Sequence, residues 1–462
     1  MTAALTYRQH ARAALHLGLP LIGSHVAQMA ITLTDAAMLG WYSVEALAAE
    51  VLANSLYFVL FIVGSGFAWA VMPMVASAQA SGQEAQVRRV TRMGAWASIL
   101  FGLAVLPVMI WSGPIFRAAG QDPEIAGLAG IYLSILGWGL VPALLVMVLK
   151  SYLAAMERTQ VVLWVTVAAV FLNVAVNYAL IFGNWGAPEL GVRGAAVASL
   201  TVNTASFIVL AIYAARVLPE HALFQRVWRP DWEAFGQVFR LGWPIGITNL
   251  SEAGLFAAST VMMGWLGTLP LAAHGIAMQL SSITFMVHLG LSNAATIRAG
   301  QAHGRGDGRG LRDGARVMLW LSGLFAAVTV VVFLAVPELL TGLFLGPGDP
   351  DRDAVIAIGV GLLAAAALFQ VMDGGQVMAL GLLRGVQDTR VPMVIAAISY
   401  WVVGLPVSYF LGFTLDWGGV GVWLGLAVGL ALAAVFLLVR FWGWAASGVG
   451  PGPLQSGQQA RR

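Results

Sequence analysis

Between Leu17 and Gly40 the chain reads LGLPLIGSHVAQMAITLTDAAMLG, an apolar stretch that carries one carboxylate, Asp35, and no neighbouring basic partner. About 20 predominantly apolar residues suffice to cross the hydrocarbon of a bilayer, so this stretch reads as a membrane-spanning helix. With no water to satisfy the backbone, only a helix or a closed barrel can make that crossing. An ionisable group inside it costs roughly several kcal/mol, which marks Asp35 as a residue facing a wet cavity and binding something. The stretch also occurs twice. Leu241–Trp265 reads LGWPIGITNLSEAGLFAASTVMMGW and repeats both the LGxP opening and the M-G-W close, Met38 with Gly40-Trp41 and then Met263-Gly264-Trp265.

The remainder of the chain has the same character. Of its 462 residues 59% are hydrophobic and only 10% charged, where a soluble domain carries about 25% charged residues. Apolar runs broken by charge or Gly/Pro clusters give twelve spans, at 13–39, 46–78, 93–112, 125–149, 160–183, 191–215, 239–266, 270–300, 315–337, 354–383, 391–413 and 418–442. The ninth and tenth are the least cleanly separated. The 54 glycines suit helices that pack backbone to backbone. The absence of cysteine excludes disulfides and thiolate chemistry. Of the 24 Lys and Arg residues, all but Arg117, Arg193 and Arg352 fall in one alternate set of loops and termini. The opposite set holds acids such as Glu45, Asp122, Glu124, Asp349, Asp351 and Asp353. Basic loops stay in the cytoplasm, so both termini are expected inside, which an even number of spans satisfies. Charge dispersed over alternate loops is no nucleic-acid footprint, and the first span, lacking a small-residue cleavage site, reads as a retained helix.

The halves superpose at an offset of 224 residues: Pro20 on Pro244, Gly40-Trp41 on Gly264-Trp265, Leu47-Ala48-Ala49 on Leu271-Ala272-Ala273. Further along, Glu157-Arg158-Thr159 matches Gln387-Asp388-Thr389, and Gly191-Val192 matches Gly419-Val420. Six spans per half, both halves starting inside, make a parallel repeat with a cavity expected between them. The expected fold is therefore an all-α polytopic membrane protein of twelve transmembrane helices in two pseudo-symmetric six-helix lobes. Residues 1–215 form the N-lobe, 216–238 a cytoplasmic linker with interfacial character (Arg226, Trp228, Arg229, Trp232), 239–445 the C-lobe and 446–462 a cytoplasmic, disordered tail.

Three acids lie well inside spans: Asp35, Glu252 and Asp373. His25, Gln28, Thr32 and Asp35 are spaced 3, 4 and 3 residues apart, which places them on one stripe of a helix. Asn173 and Asn177, one turn apart in the fifth span, are available as amide partners for Asp35. A network that merely ties helices together is the plainer alternative, but an amide in place of Asp35 would serve that purpose without an ionisable group. Glu252 has Asn249 and Phe256 on its face. Asp373 has Phe369 one turn before it and Gln376 and Val377 one turn after, with Arg384 eleven residues on. Carboxylates buried away from a countercharge can exchange a proton, hold Na⁺ or pair with an organic cation, though not all at once. That exclusion is the physical basis of antiport.

Other signals point elsewhere or nowhere. The single lysine, Lys150, precedes Ser151 without a glycine-rich loop, so no P-loop exists, which speaks against ATP-driven pumping by this chain. Gly304–Gly310, GRGDGRG, is a cytoplasmic turn lacking the preceding strand of a phosphate cradle. His274 and His288 stand singly in the eighth span and read as packing residues, with a proton relay as the alternative. Trp41, Trp111, Trp265 and Trp417 fall near span ends, as an aromatic belt requires. The 17 methionines suit core and lipid contacts, and a subset could line an adaptable cavity.

On these residues the chain resembles the multidrug and toxic compound extrusion (MATE) family, in its bacterial NorM-like branch. The matching stretches are ITLTDAAMLGW in span one, NLSEAGLF in span seven and FQVMDGGQVMALGLLRGVQDTRVPM from span ten into the next loop. The resemblance covers nearly the whole chain. It implies a secondary active exporter of organic cations and drugs, an antiporter and not an enzyme, in the bacterial cytoplasmic (inner) membrane. No cofactor is implied, only a coupling ion. Its partners would be cationic amphipathic small molecules and membrane lipids, with no nucleic acid, and the protein would act as a monomer. Carried over by position, Asp35 with Asn173 and Asn177 is the N-lobe cation or proton site, and Glu252 with Asp373 the C-lobe site, where Na⁺ could bind. Gln28, Thr32, Phe256, Phe369 and Gln376 would line the substrate cavity. One departure matters: such sites often place a tyrosine one turn before the span-ten aspartate, and here that residue is Phe369. Losing the hydroxyl weakens a Na⁺ shell, since hard cations want several oxygen ligands, and shifts the expectation toward protons. The competing readings are a lipid or lipid-linked oligosaccharide flippase, whose pyrophosphate cargo asks for a cationic cavity; a channel, for which no filter is visible; and a membrane enzyme, for which no nucleophile–base pair is recognisable.

Overall fold

The computed structural model describes residues 6–346, 348 and 350–446; nearly all of the expected tail at 446–462, and Asp349, lie outside the described residues. Among the described residues there is no strand. Twelve long helices follow one another: α1 Tyr7–Tyr42, α2 Val44–Ala80, α3 Glu84–Ile110, α4 Pro123–Ala155, α5 Thr159–Phe182, α6 Val192–Val217, α7 Trp232–Leu266, α8 Thr268–Arg305, α9 Gly308–Ala335, α10 Arg352–Gly385, α11 Arg390–Thr414 and α12 Gly418–Ala446. The ninth and tenth spans, hard to part by sequence, are separated by a short helix, Pro337–Gly342. Eleven of these helices are apolar and long enough to cross a membrane by composition alone. The twelfth, α7, is 35 residues long but carries Thr248, Asn249, Ser251 and Glu252 at its centre. That polarity hides it from an apolarity test while its length spans readily, at about 1.5 Å per residue.

The internal repeat is written into the backbone. Glu157 and Gln387, equivalent by the sequence offset, both adopt left-handed φ, 61° and 62°. At both turns the same two bonds close the preceding helix: Glu157 N–H to Ala154 O and Arg158 N–H to Leu153 O, then Gln387 N–H to Arg384 O and Asp388 N–H to Leu383 O. Two unrelated segments would have no reason to share a strained turn of this kind. Packing repeats too. In the first half α4 is the central helix, against α2, α3 and α6; in the second half α10 holds that place, against α8, α9 and α12.

The chain forms two compact units. One runs to Ile22 and resumes at Thr248; the other covers Gly23–Ile247. The divisions fall inside α1 and α7, a few residues after Pro20 and Pro244, and not in the connecting segment. That segment, 218–231, is strapped onto the Gly23–Ile247 unit. Arg92 donates to the carbonyls of Ala222 and Leu223 at 2.8 Å each, and Trp96 Nε1 to Val227 O at 2.7 Å. Arg89 pairs with Asp231 and with Glu233, and Tyr152 Oη meets His221 Nδ1 at 2.5 Å. Asp231 also caps α7 by accepting the Ala234 N–H at 3.0 Å. The Arg89 guanidinium holds the Asp231 carboxyl below the ordinary carboxylate range, and burial pushes the His221 imidazole down.

Between helices already surrounded by lipid-like side chains, association relies on close packing rather than on the hydrophobic effect. Two contacts show it. A Cβ on Gly66 of α2 would run into the Gly242 carbonyl of α7 and lie 2.5 Å from the Gly246 nitrogen. A Cβ on Gly425 of α12 would run into the Ser408 backbone of α11. Helix α11 is π-helical over Ile398–Gly404 and Phe410–Thr414 on either side of Pro406, which cannot donate to the helical ladder.

Candidate functional site

The Gly23–Ile247 unit buries Asp35 in its interior, 6% exposed. An ionised carboxylate out of water needs donors or a counterion. Asp35 has donors: Asn173 Nδ2 and Asn177 Nδ2 both reach Oδ1, at 2.8 and 2.6 Å, and Ser199 Oγ donates to Oδ2 at 3.3 Å. Asn177 Nδ2 also reaches Asn173 Oδ1 at 3.3 Å. The spacing of four residues puts both amides on one face of α5, so a single helix delivers them together. No ion pair among the described residues includes Asp35.

A second acid stands nearby. Glu50 of α2 is 2% exposed, accepts a short hydrogen bond from Asn54 Nδ2, and lies close enough to Asp35 to feel its charge. Tyr132 of α4, wholly buried, shares Ser199 with Asp35. Around them Met38, Leu39, Ala49, Ala53, Leu133 and Leu136 form an apolar casing. Sequence reasoning missed Glu50, Tyr132 and Ser199. Glu50 sits five residues into the expected second span, and the Glu50/Asn54 spacing of one turn was the available signal.

Along α1, Gln28 and Thr32 are exposed, and His25 is half-buried. Gln28 accepts from Lys150 Nζ at 3.4 Å. Ser24, one residue before His25, pairs instead with Thr166 at 3.0 Å.

The unit resuming at Thr248 gathers the other two acids. Asp373 is 2% exposed and its Oδ1 has no hydrogen-bond partner; Glu252 Oε1 is likewise buried without one. The two carboxylates interact electrostatically, and the expectation of acids without a countercharge needs correcting. Arg384, one helical face along from Asp373, is drawn inward: its Nη2 donates to Asn249 Oδ1 at 2.8 Å and its charge acts on Glu252. A residue eleven positions after Asp373 on a helix returns to nearly the same face, since three turns take about 10.8 residues. Gln376 Nε2 donates to the hydroxyl of the fully buried Tyr400 of α11 at 2.6 Å, and Gln376 Oε1 has no partner. Tyr400 thus brings to this cluster a hydroxyl that position 369 lacks. Phe369 instead packs edge-on against Phe256 and Trp423, at 5.9 and 5.4 Å between ring centres. His274 accepts from Trp423 Nε1 at 3.1 Å and meets Thr260 Oγ1 at 3.1 Å, a packing role. His288 pairs with Ser322 at 2.9 Å beside Gly374. Gly306, at φ 68°, ends α8, and Asp307 caps α9 through Gly310 N–H at 2.8 Å, so the GRGDGRG turn is spent on helix termini.

Buried carboxylates with unpartnered oxygens, set among amide and hydroxyl groups, are acceptors for a mobile proton or cation. The MatE family model matches residues 20–179 and 244–410, stretches that hold every one of these acids. The chain belongs to the MATE family. Its members are transporters and not enzymes. Similar proteins include the probable multidrug resistance protein NorM of Rhizobium meliloti, 47% identical over 94% of this chain and 93% of that protein. The NorM of Agrobacterium fabrum is 45% identical over the same shares. Among solved structures, the eukaryotic MATE transporter AtDTX14 aligns with a TM-score of 0.84 at 19% identity, over 96% of this chain and 98% of that one. A MATE transporter in its outward-facing conformation aligns at 0.85 and 18%, over 95% and 96%. The twelve-helix, two-lobe plan of the MATE fold is thus shared.

Proposed function

We propose that this MATE transporter is a secondary active multidrug exporter of the bacterial cytoplasmic membrane, exchanging cationic amphipathic compounds for H⁺ or Na⁺ by alternating access. The observation that carries the reading is Asp35: a carboxylate in a membrane helix, held by Asn173, Asn177 and Ser199 and, among the described residues, in no ion pair with a cation. A group so placed is stable enough to persist and free to accept a mobile positive species. Glu252 and Asp373 offer a second pair of carboxylates, this one with the charge of Arg384 acting on Glu252, and Gln28, Thr32, Phe256, Phe369 and Gln376 are the groups a substrate would meet. Relatives named as probable multidrug resistance proteins support the same class of cargo. The flippase reading asks for a basic lining, and three buried acids, Asp35, Glu50 and Asp373, with the half-buried Glu252 beside Asp373, speak against it.

H⁺ is the coupling ion we favour, because a carboxylate takes a proton without the several oxygen ligands a hard cation wants. The basic loops support a cytoplasmic position for both termini, and the working unit is taken as a monomer. The test is ethidium transport by proteoliposomes under an imposed pH gradient and then under an imposed Na⁺ gradient. The pH gradient should drive transport. Transport driven by Na⁺ alone would reassign the coupling ion, and transport under neither would overturn antiport.

A further inference from the structure

The one lysine of the chain is spent in an unusual way. Lys150 stands five residues before the end of α4, and a lysine near a helix end normally extends its stem outward to the interface. Here it turns to Gln28, which lies midway along the apolar run of α1, and donates to Oε1 at 3.4 Å. That neutral amide is its one hydrogen-bond acceptor, and no ion pair includes it, among the described residues. An ammonium carries three N–H donors, so two remain for a ligand. His25, one turn before Gln28 on the same stripe, lies within reach of the Lys150 charge. The neighbouring hydroxyls of Ser24 and Thr166 are bonded to each other and do not compete. Gln28 and Thr32 are exposed while His25 and Lys150 are half-buried, so the group is open on one side.

We propose that Lys150, Gln28 and His25 form an anion-binding subsite that receives the carboxylate of an amphoteric organic substrate. A cation that no ion pair among the described residues neutralises, set beside an amide and an imidazole, attracts an anion from whatever enters. Seven residues separate Gln28 from Asp35, about 10 Å along the helix axis. With Lys150 of α4 held against Gln28, a positive group stands beside α1 two turns from the Asp35 carboxylate, a pattern that suits a rigid molecule carrying both charges. The inference rests on the exporter reading above and adds to it the residues that hold the anionic group of a substrate.

The experiment compares two dyes that differ by one group: tetramethylrhodamine, whose carboxylate is free, and its methyl ester, which is a plain cation. Binding of each to the purified full-length protein is followed by fluorescence anisotropy in wild type, Lys150→Gln and Lys150→Arg. A charge-assisted hydrogen bond lost to the carboxylate should weaken the free acid about tenfold in Lys150→Gln, leaving the ester unchanged. Lys150→Arg should retain most of the acid's affinity. Gln28→Leu, which leaves Lys150 in place, should weaken the acid selectively by a smaller factor and guards against a folding defect in the lysine variants. Equal effects on both dyes, or none, overturn the subsite; if Lys150→Gln then loses co-purifying phosphatidylglycerol, the cation belongs to a lipid headgroup. Wild-type protein that binds the ester but not the acid sinks the subsite alone, whereas binding of neither dye sinks the exporter reading with it.

Discussion

Replacing Asp35 by asparagine separates a transporting charge from a structural hydrogen bond. The carbonyl oxygen of the substituted amide can occupy the place of Oδ1 and keep both donors, which stand at 2.8 and 2.6 Å from Asn173 and Asn177 in the wild type. The new NH₂ then faces the Ser199 hydroxyl, which can accept as well as donate. Each bond falls from the charge-assisted range, about 1.5–3 kcal/mol, to the neutral range, about 0.5–1.5 kcal/mol. Three bonds so weakened cost roughly 3 kcal/mol, and relief from burying a charge returns several kcal/mol. The two nearly cancel, so thermal unfolding in detergent should stay close to wild type. Asn173→Ala works in the opposite sense. It leaves the buried carboxylate one donor short, which costs about 1.5–3 kcal/mol, and should lower the unfolding midpoint clearly. Transport should invert that order: gradient-driven ethidium efflux by Asp35→Asn proteoliposomes drops more than about tenfold (about 1.4 kcal/mol or more), while Asn173→Ala keeps a measurable rate. A folded Asp35→Asn protein exporting at the wild-type rate would refute the argument. So would an Asp35→Asn protein as unstable as Asn173→Ala, which would make the carboxylate a tie between helices.

Two further outcomes concern stability. Asp231→Asn retains the cap on α7 through its amide oxygen but removes the charge that Arg89 grips and one of the two oxygens accepting from it. Because the folded carboxyl is held below its usual value, its contribution is complete above the unfolded value of about 3.9 and is lost as pH falls through the lower folded value. Wild type should therefore unfold slightly later than the variant at about pH 7, by under about 1 kcal/mol for so exposed a pair, and the two should converge below about pH 4; a gap that widens in acid contradicts the assignment. Gly425→Ala drives a methyl group into the Ser408 backbone, which cannot rotate away. It should cost about 1–3 kcal/mol in a thermal melt, and an unchanged midpoint would show that α11 and α12 can part freely.

The sequence alone determined the class of molecule, because span length and loop charge are local properties that a bilayer reads residue by residue. Pro20 and Pro244, or Glu157 and Gln387, declare the repeat through spacing, since a strained turn needs the same few neighbours each time it is built. Asp35, Glu252 and Asp373 stood out because a carboxylate in an apolar run is anomalous wherever the chain later goes. Asn173 and Asn177 could be named as partners for Asp35 from their one-turn spacing, though not their bonds. What tertiary structure decided is which distant groups meet. Glu50, Tyr132 and Ser199 gather at Asp35 from three different helices. Tyr400 brings a hydroxyl to Gln376 that no spacing along α10 announces, and Arg384 turns inward to Asn249 where the loop charge pattern had counted it as cytoplasmic. Lys150 likewise reaches inward along α1 instead of outward to the interface. The reason is that the burial of a charge is a property of the assembled bundle: the energy that selects its partner arises only once helices far apart in sequence have excluded water from the space between them.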